Sequence, residues 1–328
     1  MALLKLVILT LDIVSAASAL VVIYSYFLIK KYNHVAVDRV SIRLQLGIAF
    51  IDLFKHFMAC ISIDWGETMC SVVGFLNTTL LHIYMCLNVA IALNLHLVIL
   101  GSKRPHQRME LFYWILSVAF PLIFDISLLV SDIFGSNGAG KCGIKNNSEI
   151  NDAILLSSTI IFMIGTMYCL LVSILVLYKV KREKHDPSTE NLIHVSDSKG
   201  TPTLKSLSSL ICRTCLYPIS YFLAYLGSNF GNLYYFISKA SPTPILYWGR
   251  FGYSSRGILH LISFFADPLI NKSVPIILKG KRIHHEELYL GTPSPECDLN
   301  YDYFYSSSVD ISLTPGFKQT LRDFQKYI

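Results

Sequence analysis

The chain has 328 residues, 53% hydrophobic and only 15% charged, with a mean hydropathy of +0.49. A soluble domain of this length needs far more charge on its surface, so the composition excludes an ordinary water-soluble globule and points to an integral membrane protein. The formal net charge of +6 comes from short basic clusters between apolar runs rather than from one basic face or tail; these are topology signals, and they argue against a nucleic-acid partner.

The first apolar run covers residues 6–29 and is closed by Lys30 and Lys31. It is longer than a signal-peptide core and has no small-residue cleavage site, so a retained membrane helix is expected. The second run, 44–63, carries Asp52, Lys55 and His56. The third, 70–100, contains no Asp, Glu, Lys or Arg. A bilayer core about 30 Å thick needs about 20 residues of helix, so this run crosses with turns to spare. Asn77, His82, Asn88, Asn94 and His96 punctuate it, and polar groups in hydrocarbon must face other helices or water, which puts this helix in the middle of a bundle.

The fourth run is 111–133, the fifth 153–178, the sixth 207–226 with Pro218 inside it, and the seventh 245–270, ending in Asp267-Pro268-Leu269-Ile270. Between Gly227 and Pro244 the chain is apolar but broken by Gly, Asn and Pro, so the border of the last two runs is the least defined. The expected architecture is an all-α membrane protein, a bundle of seven transmembrane helices over residues 1–275. A flexible loop over 179–206 and a largely disordered tail over 276–328 complete the chain.

Most of the 28 basic residues fall in the segments that face the cytosol if the N-terminus is outside and the C-terminus inside. The opposite segments hold only Lys5, Lys141, Lys145 and Lys239, with Asp64 and Glu67 in the first of their loops. Of the eight cysteines only Cys70 and Cys142 then lie on the oxidising side, so one disulfide between them is expected. Of three sequons, at Asn77, Asn146 and Asn271, only Asn146 is outside and is expected to carry a glycan.

No enzyme or cofactor motif survives inspection. Residues 135–142 match the phosphate-binding pattern G-x-x-x-x-G-K, but end in Cys142 where Ser or Thr should hold magnesium and lie on the outer side. A loop that delivers Cys142 to Cys70 is the better reading. Cys212 and Cys215 form a lone C-x-x-C without a second pair, which reads as packing rather than zinc. No Ser/His/Asp set is supported by spacing alone, so the expectation is no enzyme, no cofactor and no metal. No internal repeat is visible, which disfavours a transporter built from duplicated halves.

Ionisable residues within the runs are Asp12, Asp52, Lys55, Asp125, Arg213, Arg250, Arg256 and Asp267. Such residues mark function by default, but each also has a structural reading. Lys55 follows Asp52 by one helical turn, so an intrahelical pair without any ligand is one reading. Arg250, Arg256 and Tyr253 lie in the outer half of the seventh run, where they could face His82 and Tyr84 of the third across a ligand-binding cavity. A cationic, aromatic pocket would suit an anionic or hydroxylated extracellular molecule, and pairing of these arginines with Asp125 is the alternative. Asp267 needs a partner, for which Asn94, Lys55 or a trapped cation are the options.

Several stretches together carry a resemblance. Cys70 with Gly74-Phe75, residues 91–99 around Asn94-Leu95-His96, Tyr217-Pro218-x-x-Tyr221 and Asp267-Pro268-Leu269-Ile270 resemble G-protein-coupled receptors. Within those, the chain is similar to the group of slime-mould cyclic-AMP receptors and fungal nutrient-sensing receptors, over roughly residues 5–275. The Asp-Arg-Tyr trio of rhodopsin-like receptors is absent, its place taken by Asn94-Leu95-His96, so no arginine-based lock carries over. The seventh run has no lysine, so a retinal Schiff base has no attachment point.

The resemblance implies a multi-pass receptor of the plasma membrane whose partners are an extracellular small ligand, membrane lipid and a heterotrimeric G-protein α subunit. The switch would involve Asp52, Lys55, Asn94, Leu95, His96, Asp267 and Pro268, with Pro218 as pivot of the sixth helix. Lys103, Arg104, Lys181, Arg182 and Lys184 would face the G protein. The competing class is a seven-helix transporter or scaffold without G-protein coupling.

Overall fold

The computed structural model describes residues 2–33, 37, 39–60, 67–100, 107–136, 142–145, 149–184, 215–238, 243–267, 270, 271, 273, 274 and 277. Among these, eight α-helices and one short hairpin make up the fold. In chain order they are α1 (Ala2–Tyr32), α2 (Val40–Cys60), α3 (Glu67–Leu95), α4 (Gln107–Val130), β1 (Phe134–Ser136), β2 (Cys142–Ile144) and α5 (Glu149–Lys184). Then come α6 (Leu216–Ser238), α7 (Thr243–Ser254) and α8 (Arg256–Ala266). A five-residue π-helical turn, His96–Leu100, continues α3.

Four helices are long and apolar enough to cross a membrane, α1, α3 with its π turn, α4 and α5, which makes this a membrane protein by length and composition. α2 is 21 residues long but carries Arg43, Asp52 and Lys55. α6 is rich in Tyr, Ser and Asn, and the seventh run is split at Ser255 into two short helices. Three of the seven expected runs therefore do not qualify by themselves, the second and sixth through their polar residues and the seventh through its division into two short helices.

Boundaries also shift. The fifth helix continues to Lys184, so the first residues of the expected 179–206 loop are helical. The sixth runs through Ser238 across a stretch the sequence reading left broken, and its expected start, 207–214, lies outside the described residues.

α3 is the hub, as its polar punctuation demands: 61% of its apolar window is buried, against 28% for α1 and α4 and 33% for α5. It packs against α2, α4, α5 and α6. Leu87, Ile91 and Leu95 of α3 meet Leu44 and Ile48 of α2, Val172 and Val176 of α5, and Tyr221 and Tyr225 of α6 in the main core. A second core joins α1, α2 and α8 through Val22, Ile29, Ile42, Ala49 and Phe264. α1 closes the ring by packing on α2, α7 and α8.

At one end of the bundle β1 and β2 pair antiparallel, with Ser136 opposite Cys142, and Cys142 is disulfide-bonded to Cys70 at the start of α3. The expected bridge is present, carried by a hairpin that also rests its Gly143 backbone against Gly74.

Candidate functional site

The densest cluster of buried charge sits where α8 begins. Ser255 interrupts the helix, and the Ser254 carbonyl there receives the Ser15 hydroxyl of α1. Gly257 makes that contact possible, because a Cβ at this position would fall on the Ser15 backbone. Arg256, the first residue of α8, points into the bundle and is 1% exposed.

Arg256 Nε lies 2.5 Å from Asp52 Oδ1 of α2, and its Nη1 donates to the Tyr225 hydroxyl at 2.6 Å. Its guanidinium lies 4.6 Å from the Tyr84 ring centroid and 4.5 Å from that of Tyr253. Four groups from four helices thus grip one cation, and such a desolvated site favours planar arginine over lysine. His260, one turn on, brings Nδ1 to 3.6 Å from the other Asp52 oxygen. Above it His56 Nδ1 meets Asp12 Oδ1 of α1 at 3.0 Å.

Lys55 does not form the intrahelical pair with Asp52 that was one of its two readings. Its ammonium donates to the Asn77 carbonyl at 3.0 Å and sits 5.0 Å from the Tyr253 centroid, with no carboxylate in ion-pair range among the described residues. Lys55 and Arg256 thus lie in one buried space against the Tyr253 ring, and only Arg256 has the Asp52 carboxylate within ion-pair range. Arg256 Nη2 makes no hydrogen bond there. A guanidinium N–H without an acceptor, held in a buried space, is a group that an anion could satisfy.

The expected ligand set is only partly brought together. Tyr84, Tyr253 and Arg256 converge. Arg250 does not, since it is exposed on the preceding helix, α7. His82 also faces elsewhere, for it and Tyr84 are two residues apart and point to nearly opposite sides of α3.

His82 Nδ1 lies 2.9 Å from both carboxylate oxygens of Asp125 in α4, and its Nε2 lies 3.1 Å from Ser158 Oγ in α5. Asp125 is thus the partner of His82, not of the arginines. The order hydroxyl–imidazole–carboxylate is that of an acyl-transfer triad. Ser158, however, is inside α5, where backbone N–H groups are spent within the helix and none is left to hold an oxyanion.

The far end of α8 holds a second ion pair. Arg39 Nη2 donates to Asp267 Oδ1 at 2.7 Å, and both side chains are buried. Asp267 is thus paired with Arg39, which was not among the options of Asn94, Lys55 or a trapped cation. Asn94 instead donates to Ser41 Oγ at 3.3 Å. Leu95 is buried in the main core, and His96 Nδ1 lies 3.1 Å from the Tyr168 hydroxyl. Arg43 of α2 grips Glu110 of α4 through two contacts, Nε to Oε1 at 2.6 Å and Nη2 to Oε2.

Pro218 is the third residue of α6, in a first turn where the missing N–H has no helical acceptor to lose, so the described helix has no proline pivot there. Lys181 and Arg182 are exposed on the last turns of α5, and Lys184 is its final residue. Lys103, Arg104, Asn146 and Pro268 lie outside the described residues.

Sequence reading missed Tyr225, His260, Arg39, Glu110 and Ser158. For His260 a signal existed, since it follows Arg256 by four residues and so shares its face. The others gain their roles only from which helices become neighbours. No family model matches the chain, and no curated protein matches it.

Proposed function

We propose that this chain is a seven-helix receptor of the G-protein-coupled kind, with its N-terminus outside the cell, its C-terminus in the cytosol, and a small anion or hydroxylated molecule as extracellular ligand. The observation that carries the reading is the double anchoring of α8. Arg256 at its first residue pairs with Asp52, and Asp267 just past its last residue pairs with Arg39, about 16 Å further along.

An anion that competes with Asp52 for Arg256 and recruits Lys55 changes the forces on one end of a short rigid helix whose other end is an ion pair. A ligand shifts a two-state equilibrium by its differential affinity for the two states, which in this reading are α8 with and without the Asp52–Arg256 pair. In this reading α8 carries the displacement to the cytosolic end. There Lys181, Arg182 and Lys184 of α5, with Lys103 and Arg104, form a basic docking face for a G-protein α subunit.

The purified receptor in lipid nanodiscs, mixed with a panel of α subunits, should accelerate nucleotide exchange on at least one of them. Reversing the charge of Lys181, Arg182 and Lys184 should reduce that rate. Exchange unchanged from the α subunit alone across the panel rejects the reading in favour of a transporter or scaffold.

A further inference from the structure

The buried space around Arg256 holds more donors than acceptors. The Lys55 ammonium carries three N–H donors and, among the described residues, meets one acceptor, the Asn77 carbonyl at 3.0 Å. On Arg256, Nε lies against Asp52 and Nη1 donates to the Tyr225 hydroxyl, while Nη2 is buried without a hydrogen bond. An ammonium and a guanidinium cannot turn into acceptors, so the direction of what is missing is fixed: both groups need an electron-pair donor.

Charge restricts the occupant. Lys55 and Arg256 both lie within 5.0 Å of the Tyr253 ring centroid, near enough to repel each other inside a bundle. Set against Asp52 they leave one positive charge over. His260, beside Asp52, adds positive charge when protonated and none otherwise, so it never lowers that excess. The other carboxylates on this flank are engaged elsewhere, Asp12 with His56 and Asp267 with Arg39. One monovalent anion cancels the excess, whereas a divalent anion replaces it by a negative charge that is as costly to bury.

Size restricts it further. Asp52, Arg256 and Lys55 are 0%, 1% and 2% exposed, and the rings of Tyr84 and Tyr253 lie against the guanidinium. An organic anion has to part these helices to enter. A halide needs about the volume of one water molecule, ~30 Å³.

We propose that Lys55 and Arg256 hold a chloride ion, bound between the Lys55 ammonium and Arg256 Nη2 beside the Tyr253 ring. The proposal rests on the same cation cluster as the receptor reading and adds its regulation. Chloride completes the closed arrangement with the Asp52–Arg256 pair intact, and a larger anionic ligand has to displace it, so the two compete.

The test is thermal unfolding of the full chain in nanodiscs in sodium chloride or sodium gluconate at equal ionic strength, gluconate being too large for the site. Chloride should raise the midpoint saturably, by about 2–4 °C at concentrations well above its dissociation constant. Lys55→Met should lose this rise, and its advantage over the parent should be larger in gluconate, where the parent's lysine is uncompensated, than in chloride. The double variant Asp52→Leu with Arg256→Met should lose the rise as well. Arg250→Gln, which removes an exposed arginine outside the cluster, should keep it. Equal midpoints in the two salts overturn the proposal, and so does a chloride effect that persists in Lys55→Met, which would mark it as a general action of the salt. No α subunit takes part, so a missing chloride effect leaves the receptor reading standing, and failed nucleotide exchange leaves the chloride site standing.

Discussion

The two flanks of α3 are held by different physics. Toward α1, α2 and α8 the helices are joined by buried polar pairs, Asp12 with His56 and the ion pairs of Asp52 with Arg256 and Arg39 with Asp267. Toward α4 and α5 they are joined by apolar packing and the chain from Asp125 through His82 to Ser158. The division follows composition, since α4 and α5 are apolar enough to stand in a bilayer by themselves whereas α2 is not. Charged contacts are few and specific, and losing one partner strands the other in a low dielectric; apolar contacts are many and individually weak. The charged flank should therefore fail abruptly on single substitutions and the apolar flank gradually.

The largest effect is expected at the centre of the charged flank. Asp52→Ala leaves Arg256 buried without its carboxylate and should cost about 3–5 kcal/mol. The double variant Asp52→Leu with Arg256→Met, apolar on both sides, should recover most of that loss. Thermal unfolding in detergent measures both, and an equal loss in the double variant would mean that packing rather than stranded charge governs this flank.

Close backbone approach is the next largest contribution. Gly257→Val forces α8 away from the Ser15 carbonyl and, as an overpacking change, should cost about 1–3 kcal/mol. Gly143→Ala meets nothing within 4 Å and should be neutral. Similar losses in the two would remove the claim that α1 and α8 are held in register by that contact.

Lys55 breaks the pattern with the opposite sign. Its buried ammonium has one hydrogen bond, to Asn77, and no carboxylate in ion-pair range among the described residues. Lys55→Met should stabilise the protein by about 1–2 kcal/mol, because an incompletely compensated buried charge is exchanged for an apolar chain of similar length. On the proposed receptor reading it should at the same time abolish ligand-stimulated nucleotide exchange. A destabilised Met variant would show that the lysine is a structural partner of the tyrosine cage, not a charge held in reserve for a ligand.

How much of this was visible in the sequence depends on the range of the interaction involved. The helical content, the central position of α3 and the bridge between Cys70 and Cys142 follow from patterns within a segment or from the pairing of the two cysteines expected on the oxidising side. That Asp52 and Arg256 matter was legible too, since ionisable residues inside apolar runs are conspicuous. That they belong to each other was not, because nothing in a sequence says which faces of helices 200 residues apart will meet. His82 shows the same limit: read beside Tyr84 it joined the arginine site, yet two residues of α3 turn it to the opposite flank and to Asp125. Arg39 was missed for a different reason, as a basic residue near a helix end reads as a topology charge whether or not a carboxylate awaits it.

The smallest expected effect tests the apolar flank directly. His96 in the π turn and Tyr168 of α5 are both half-buried, their rings stacked at 6.2 Å with an interplanar angle of 24°, and one hydrogen bond joins them. His96→Phe keeps the ring and removes the bond, so the Tyr168 hydroxyl loses a partner at a place where solvent can still reach it. The expected cost is about 0.5–1.5 kcal/mol, well below that of Asp52→Ala, because no charge is stranded and the stacking persists. A loss as large as that of Asp52→Ala would make this flank as dependent on single polar contacts as the other, and the contrast between the two sides of α3 would disappear.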